Sequence, residues 1–293
     1  MTVSNKSTFR GNDHAVLLLH GLSSSPLELR FLARFLADEG FATNTPGLPG
    51  YSARSAHQPM EQWVHAAVAE FDKLAKQYRH VSICGLSMGA TLAAAVAHER
   101  PSARALLLLS VTLSYDGRAI PWYRFLLSYA YYTPLRSRYS YREHEPYGLR
   151  NEALRAKIAR TMQKSDISEV GPASIGMPAL HEASRLAGSV RKKLKSIVTD
   201  CLIIHAIDDE TSSPHNARYV SANVGASFLR TIWLDDSYHM ITSDNEREVV
   251  ARECALFLRE SAAASVSSDN PAPVVSRALA RRLRQLAQVL GKA

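Results

Sequence analysis

Cysteine is scarce. The three that occur, Cys84, Cys201 and Cys254, lie far apart in apolar runs, without the short spacings of a metal or redox motif. That pattern excludes a disulfide framework and predicts reduced, buried thiols of the cytosolic kind. No stretch approaches the roughly 18 uninterrupted apolar residues that a membrane span needs. The first residues, MTVSNKSTFR, lack the apolar centre of an export signal. A cytoplasmic location is therefore expected. The eleven histidines form no H-E-x-x-H pattern or Cys/His cluster, so neither a metal nor a cofactor is expected.

The formal net charge of +8 raises the question of nucleic acid. Half of that excess lies beyond residue 260, where Arg277, Arg281, Arg282, Arg284 and Lys292 face Asp269 alone. No helix-turn-helix, finger or aromatic-basic platform accompanies it, and nucleic-acid binding is not expected. The basic run RKKLK at 191–195 reads as a solvated helix face.

What is present is material for a core: 46% of residues are hydrophobic and 21% charged. A length of 293 residues fits one large domain carrying an insertion and a tail. Apolar runs of strand length (15–19, 41–45, 80–84, 105–109, 201–207 and 228–234) alternate with segments of helical period (26–39, 61–78, 88–99, from 214, and 244–258). This is the sequence form of a mostly parallel sheet with helices on both faces. The gap between 109 and 201 is too long for a simple crossover and predicts an insertion with structure of its own. The expected organisation is thus a core from 1–110 and 200–260, a helical insertion at 111–199, a linker at 261–273 and a terminal helix at 274–293.

Gly85-Leu86-Ser87-Met88-Gly89 follows a strand-like run directly and opens a helix of small residues. G-x-S-x-G in that setting is a nucleophile elbow, a turn so sharp that side chains beside the serine have no room. A serine hydroxyl needs a base, and the base needs an orienting acid. Downstream, Asp208-Asp209-Glu210 follows one strand and Ser237-Tyr238-His239-Met240 follows the last. Both fall at strand C-terminal ends, where open parallel sheets place their sites. His205, alone in an apolar strand, reads as a packed, hydrogen-bonded residue.

Together with HGLSSSP at 20–26, DDETSSP at 208–214 and SYHMITSDNE at 237–246, these motifs resemble the bacterial monoacylglycerol lipase and carboxylesterase branch of the α/β-hydrolases over about residues 14–260. The resemblance implies an α/β-hydrolase fold with Ser87 as nucleophile, His239 as base and Asp209 as acid, with Asp208 as the neighbouring alternative. It also implies an oxyanion hole made by the backbone N–H groups of Leu22 and Met88. His20 is expected to organise the oxyanion loop. Where relatives commonly carry Gly-His-Gly, this chain has Gly50-Tyr51-Ser52, so substrate preference does not carry over.

The implied activity is hydrolysis of a small-molecule acyl ester of short to medium chain, monoacylglycerol-like substrates included, through an acyl-enzyme. A thioesterase, an amide or carbon–carbon bond hydrolase with the same three residues, and a non-catalytic binding protein on this scaffold stand as alternatives. By the same resemblance, 111–199 would form a cap. Eight of the twelve tyrosines fall between Tyr115 and Tyr147, with Trp122 and Phe125, which suits a wall for an acyl chain. From 275 to 290, Val275, Leu279, Leu283, Leu286 and Leu290 share one helical arc with arginines mostly opposite. Such a basic amphipathic helix can lie on an anionic membrane, pack on its own domain or dock on a second copy.

Overall fold

The structure, a computed structural model, describes residues 6–142, 144–162, 167–168 and 171–266. Its first half runs β1 (Lys6–Phe9), β2 (His14–Leu19), a 3₁₀ turn (Pro26–Leu29), α1 (Arg30–Asp38), β3 (Ala42–Pro46), α2 (Met60–Ala75), β4 (His80–Leu86), α3 (Met88–Glu99) and β5 (Leu106–Leu109). The long segment that follows holds α4 (Leu127–Ala130), β6 (Ser140–Arg142), α5 (Glu152–Met162), β7 (Ile167–Ser168), β8 (Gly171–Pro172), β9 (Ser174–Gly176) and α6 (Met177–Lys193). The chain returns to the main sheet with β10 (Cys201–Ala206), α7 (Pro214–Asn223), β11 (Leu229–Leu234) and α8 (Arg247–Val266).

Seven strands form one sheet in the order β1-β3-β2-β4-β5-β10-β11. All neighbours are parallel except β1, which pairs antiparallel with β3 along the edge. Residues alternate between the two faces because the strand period is two. Ala15, Leu17, Leu19, Ile83, Leu106, Leu108 and Ile203 enter one core with residues of α2, α3, α6 and α7. Val16, Leu18, Cys84, Leu107, Leu109, Leu202 and Ile204 enter the other, with residues of α1 and α8. Burial on both faces is why these strands read as continuous apolar runs. Alanines fill α3, which is buried from Met88 to Ala97 between the sheet and its neighbouring helices.

Several details differ from the sequence expectation. The segment 26–39 begins as a 3₁₀ turn capped by Ser25, whose side chain accepts from the Leu27 N–H, and closes at Gly40 with φ of 93°. Strand β1 (KSTF) is short and polar and carries no apolar signal; pairing with β3 alone makes it a strand. Helix α8 continues to Val266, into the stretch 261–273 whose composition reads as linker. Ala262, Ala263 and Ala264 there are strong helix formers, and Ser261 is buried with its hydroxyl donating to the Leu258 carbonyl. The basic run keeps Arg191, Lys192 and Lys195 exposed, as expected of a solvated face, while Arg191 also donates to the Leu113 carbonyl and lies over Tyr219, and Lys193 pairs with Glu99. The expected helix at 274–293 lies outside the described residues. Among the described residues no helix is long and apolar enough to cross a membrane.

Candidate active site

Ser87 occupies the tight turn between β4 and α3, with φ 58° and ψ −124°. This is sparsely populated space for a non-glycine residue, and the flanking glycines make room for it. A Cβ on Gly85 would stand 2.1 Å from the Gly89 carbonyl oxygen, and one on Gly89 would stand 2.2 Å from that of Leu19. Both contacts are with backbone and cannot relax, so the two glycines permit the strand, turn and helix to approach this closely.

The His239 ring lies between the serine and a buried carboxylate. Its Nε2 is 2.8 Å from Ser87 Oγ and its Nδ1 is 2.7 Å from Asp209 Oδ2. Nδ1–H donating to the carboxylate leaves Nε2 with a lone pair facing the serine hydroxyl. Asp209 Oδ1 accepts from the Thr211 and Ser212 N–H groups at 2.9 and 2.7 Å. Burial pushes the Asp209 carboxyl up, but the charge and hydrogen bond of His239 outweigh it and hold the group below the usual carboxylate range. Asp208 points elsewhere: its side chain is 47% exposed and pairs with Arg150 at 3.2 Å.

His20 is buried beneath the loop after β2. Its Nδ1–H donates to the Gly21 carbonyl and its Nε2 accepts from Ser52 Oγ, both at 2.8 Å. Burial lowers its pKa to about 4, so the ring is neutral at pH 7. Tyr51, in the loop after β3, donates its hydroxyl to the His20 carbonyl at 2.8 Å and accepts from the Ser23 N–H through its own carbonyl. This lattice orients Leu22. Among the described residues the Leu22 and Met88 N–H groups donate to no protein acceptor. Met88 is the first residue of a 12-residue helix, where amide hydrogens have no partner within the helix.

His205 donates Nε2–H to the Ser212 carbonyl at 2.8 Å and lies 3.4 Å from Asp209 Oδ2. It props the acid's loop from below, as a packed, hydrogen-bonded residue.

Other neighbours carry no motif. Thr112 places its hydroxyl 3.3 Å from Ser87 Oγ while donating to the Ser110 carbonyl. Ser110, at φ 45°, donates to the His239 carbonyl at 2.7 Å. Asp244 accepts from the N–H groups of Tyr238, Arg150 and Asn151, which ties the histidine loop to the segment before α5. Glu210 is buried with its carboxyl pushed up, first by burial and then by the charge of Asp209. Thr112, Ser110 and Asp244 come from other parts of the chain, and no local pattern singles them out.

Beside Met88 opens a cavity of about 270 Å³, walled by Leu113, Tyr115, Phe125, Met177, Leu180 and Ala187. Among the described residues no group of three or more His, Cys, Asp or Glu could hold a metal ion.

A serine in a strained strand-to-helix turn, aligned with a histidine and a carboxylate at the C-terminal edge of a parallel sheet, is the arrangement of an α/β-hydrolase. Residues 11–246 match the Hydrolase_4 family, serine aminopeptidase S33, and the chain belongs to that family. It is 23% identical to a carboxylesterase of Bacillus subtilis (strain 168) over 257 residues, which cover 86% of this chain and 95% of the relative. It is also 23% identical to a thermostable monoacylglycerol lipase of Bacillus sp. (strain H-257), over 84% of this chain and 91% of that one. A metagenome-derived lipolytic enzyme superposes with a TM-score of 0.72 at 22% identity, over 89% of this chain and 99% of its own. The protein is a hydrolase resembling these carboxylesterases and monoacylglycerol lipases.

Proposed function

We propose that this chain hydrolyses carboxylic esters of short to medium acyl chain through an acyl-enzyme on Ser87. The observation that carries the reading is the unbroken line from Ser87 Oγ to His239 Nε2 and from His239 Nδ1 to Asp209 Oδ2, at 2.8 and 2.7 Å. His239 takes the hydroxyl proton as Oγ attacks the acyl carbonyl, and Asp209 stabilises the imidazolium. The N–H groups of Leu22 and Met88 receive the oxyanion. Collapse of the tetrahedral intermediate breaks the bond to the alcohol, which leaves with the proton from His239. Water, deprotonated by His239, then attacks the acyl-enzyme and releases the acid and free Ser87.

The acyl group enters the cavity beside Met88. At about 270 Å³ it falls just below the usual 300–1,000 Å³ of ligand pockets, which favours chains of short to medium length. The segment 111–199 acts as the cap, since Leu113, Tyr115, Phe125 and Met177 supply much of the cavity wall.

The test is hydrolysis of p-nitrophenyl esters from acetate to palmitate, beside a matched thioester, by wild type and Ser87→Ala, with a fluorophosphonate label. Activity and labelling that vanish together in Ser87→Ala support the reading, and the best chain measures the cavity. A wild type that turns over the thioester but no ester makes the protein a thioesterase. One that accepts neither substrate nor label is no serine hydrolase.

A further inference from the structure

Among the buried ionisable groups that the mechanism above leaves unused, Glu28 stands beside the oxyanion loop. Glu28 lies in the 3₁₀ turn between the oxyanion loop and α1, with only 3% of the residue exposed. Its Oε2 accepts the Gly21 N–H at 2.7 Å, and its backbone carbonyl accepts the Thr242 hydroxyl at 3.0 Å, three residues beyond His239. A Cβ on Gly21 would stand 3.1 Å from Oε2, and one on Gly171 would stand 3.3 Å from Oε1. The carboxyl is therefore packed against backbone on two sides. Among the described residues no lysine or arginine forms an ion pair with it.

A buried carboxylate without a cation is costly, and a fold does not hold one in place without some compensation. The nearby Ser24 hydroxyl favours the ionised form most, and two further groups add to it. The first is the Gly21 N–H, a hydrogen bond that fixes the residue whose following peptide carries the Leu22 N–H. The second is His239, whose positive charge, when present, favours the ionised carboxyl. In the proposed reaction His239 gains charge as it takes the serine proton, so this second attraction is stronger in the transition state, as catalysis requires.

Resting on the ester reading, we propose that Glu28 is a positioning residue for that reaction: its carboxylate anchors the oxyanion loop through Gly21 and supports the imidazolium of His239. The titratable groups coupled to it are His239 from the loop after β11 and the Tyr51 phenol from the loop after β3. Burial raises the Glu28 carboxyl to about 7, with Ser24, Gly21 and His239 pulling it back, so its charge varies around neutral pH.

The experiment compares full-length wild type, Glu28→Gln and Glu28→Ala. It measures kcat and KM between pH 5 and 9, the thermal midpoint, and the rate of Ser87 phosphonylation by a fluorophosphonate. Glu28→Gln keeps an acceptor for Gly21 but loses the charge. Its kcat should fall about 3- to 10-fold with KM little changed, and the acid limb of kcat/KM should move to lower pH, because the imidazolium loses a neighbouring anion. Glu28→Ala loses both, and kcat and phosphonylation should fall about 30- to 100-fold, at or somewhat below the loss of an oxyanion donor itself.

A lower thermal midpoint with kcat, pH profile and phosphonylation all within twofold of wild type would make Glu28 merely structural and overturn the proposal. Phosphonylation needs the oxyanion hole but no particular substrate. If esters prove the wrong substrate, an undiminished labelling rate in Glu28→Ala still overturns the role of Glu28, and a tenfold fall still supports it.

Discussion

Replacing Asp209 by asparagine separates the acid role proposed for it from its structural duties. The substituted side chain keeps an oxygen for the Thr211 and Ser212 N–H groups, now bound at 2.9 and 2.7 Å, so the loop has no reason to move. The new amide NH₂ faces His239 Nδ1, 2.7 Å away. Nδ1 must then accept, the ring proton shifts to Nε2, and the base meets the Ser87 hydroxyl with a hydrogen where its lone pair should be. The imidazolium also loses a buried counter-charge. Loss of the correct tautomer in such a triad costs about 10⁴-fold in kcat, or about 5 kcal/mol.

The control is Asp208→Asn. Its partner Arg150 sits at 3.2 Å on a surface where Asp208 is 47% exposed, and such pairs are worth about 0–1 kcal/mol, so kcat should stay within about twofold. The assay is stopped-flow hydrolysis of p-nitrophenyl butyrate, with thermal midpoints to show that both variants are folded. If Asp209→Asn kept more than a tenth of wild-type kcat while Asp208→Asn collapsed, the acid would be Asp208 and the reasoning from geometry would fail.

Ala187→Leu should narrow the acyl cavity that Ala187 lines and lower kcat/KM for the longest accepted ester about tenfold, the worth of roughly two methylenes at about 0.8 kcal/mol each. Overpacking should cost about 1–3 kcal/mol of stability, and a chain-length profile unchanged by the substitution would remove this cavity from the reaction. Because burial depresses His20 from 6.5 to about 4, the unfolded chain takes up its proton first as pH falls, and stability is lost between those values by about 3 kcal/mol. Glu28, whose carboxyl burial raises, acts in the opposite sense over pH 4.5 to 7, so the quantity to compare is the urea midpoint of wild type against His20→Asn. Equal pH slopes for the two would refute the burial argument. Cys84, Cys201 and Cys254 are all fully buried, and burial pushes the Cys201 thiol up to about 12. A disulfide reagent should therefore titrate none of the three in the native protein and all of them in urea, and rapid native labelling would contradict that packing.

Much of this protein is legible locally. Strands such as HAVLLL and LLLL announce themselves because burial on both faces demands unbroken apolar runs, and α3 does so because its many alanines let a helix press close to the sheet. The nucleophile turn is legible for a steric reason: Gly85 and Gly89 would collide with backbone if they carried a Cβ, so the pattern cannot drift. The histidine and the acidic pair are legible as types at strand ends. β1 was not, since a four-residue polar strand has no period to read and forms only when β3 offers it an edge. The end of α8 was not either, since alanine and serine suit a helix and a linker alike.

By itself, then, the sequence determined the alternation of strands and helices and the residue types at the end of each strand, because the burial of a strand and the sterics of a turn act over a few residues. Only the tertiary structure turns Asp209 toward His239 and Asp208, adjacent and chemically identical, toward Arg150. It alone brought Thr112 to Ser87, Thr242 to Glu28 and Glu28 to Gly21. Contacts of that kind join side chains far apart in the chain or set their directions, and direction is fixed by packing against elements that no local pattern encodes.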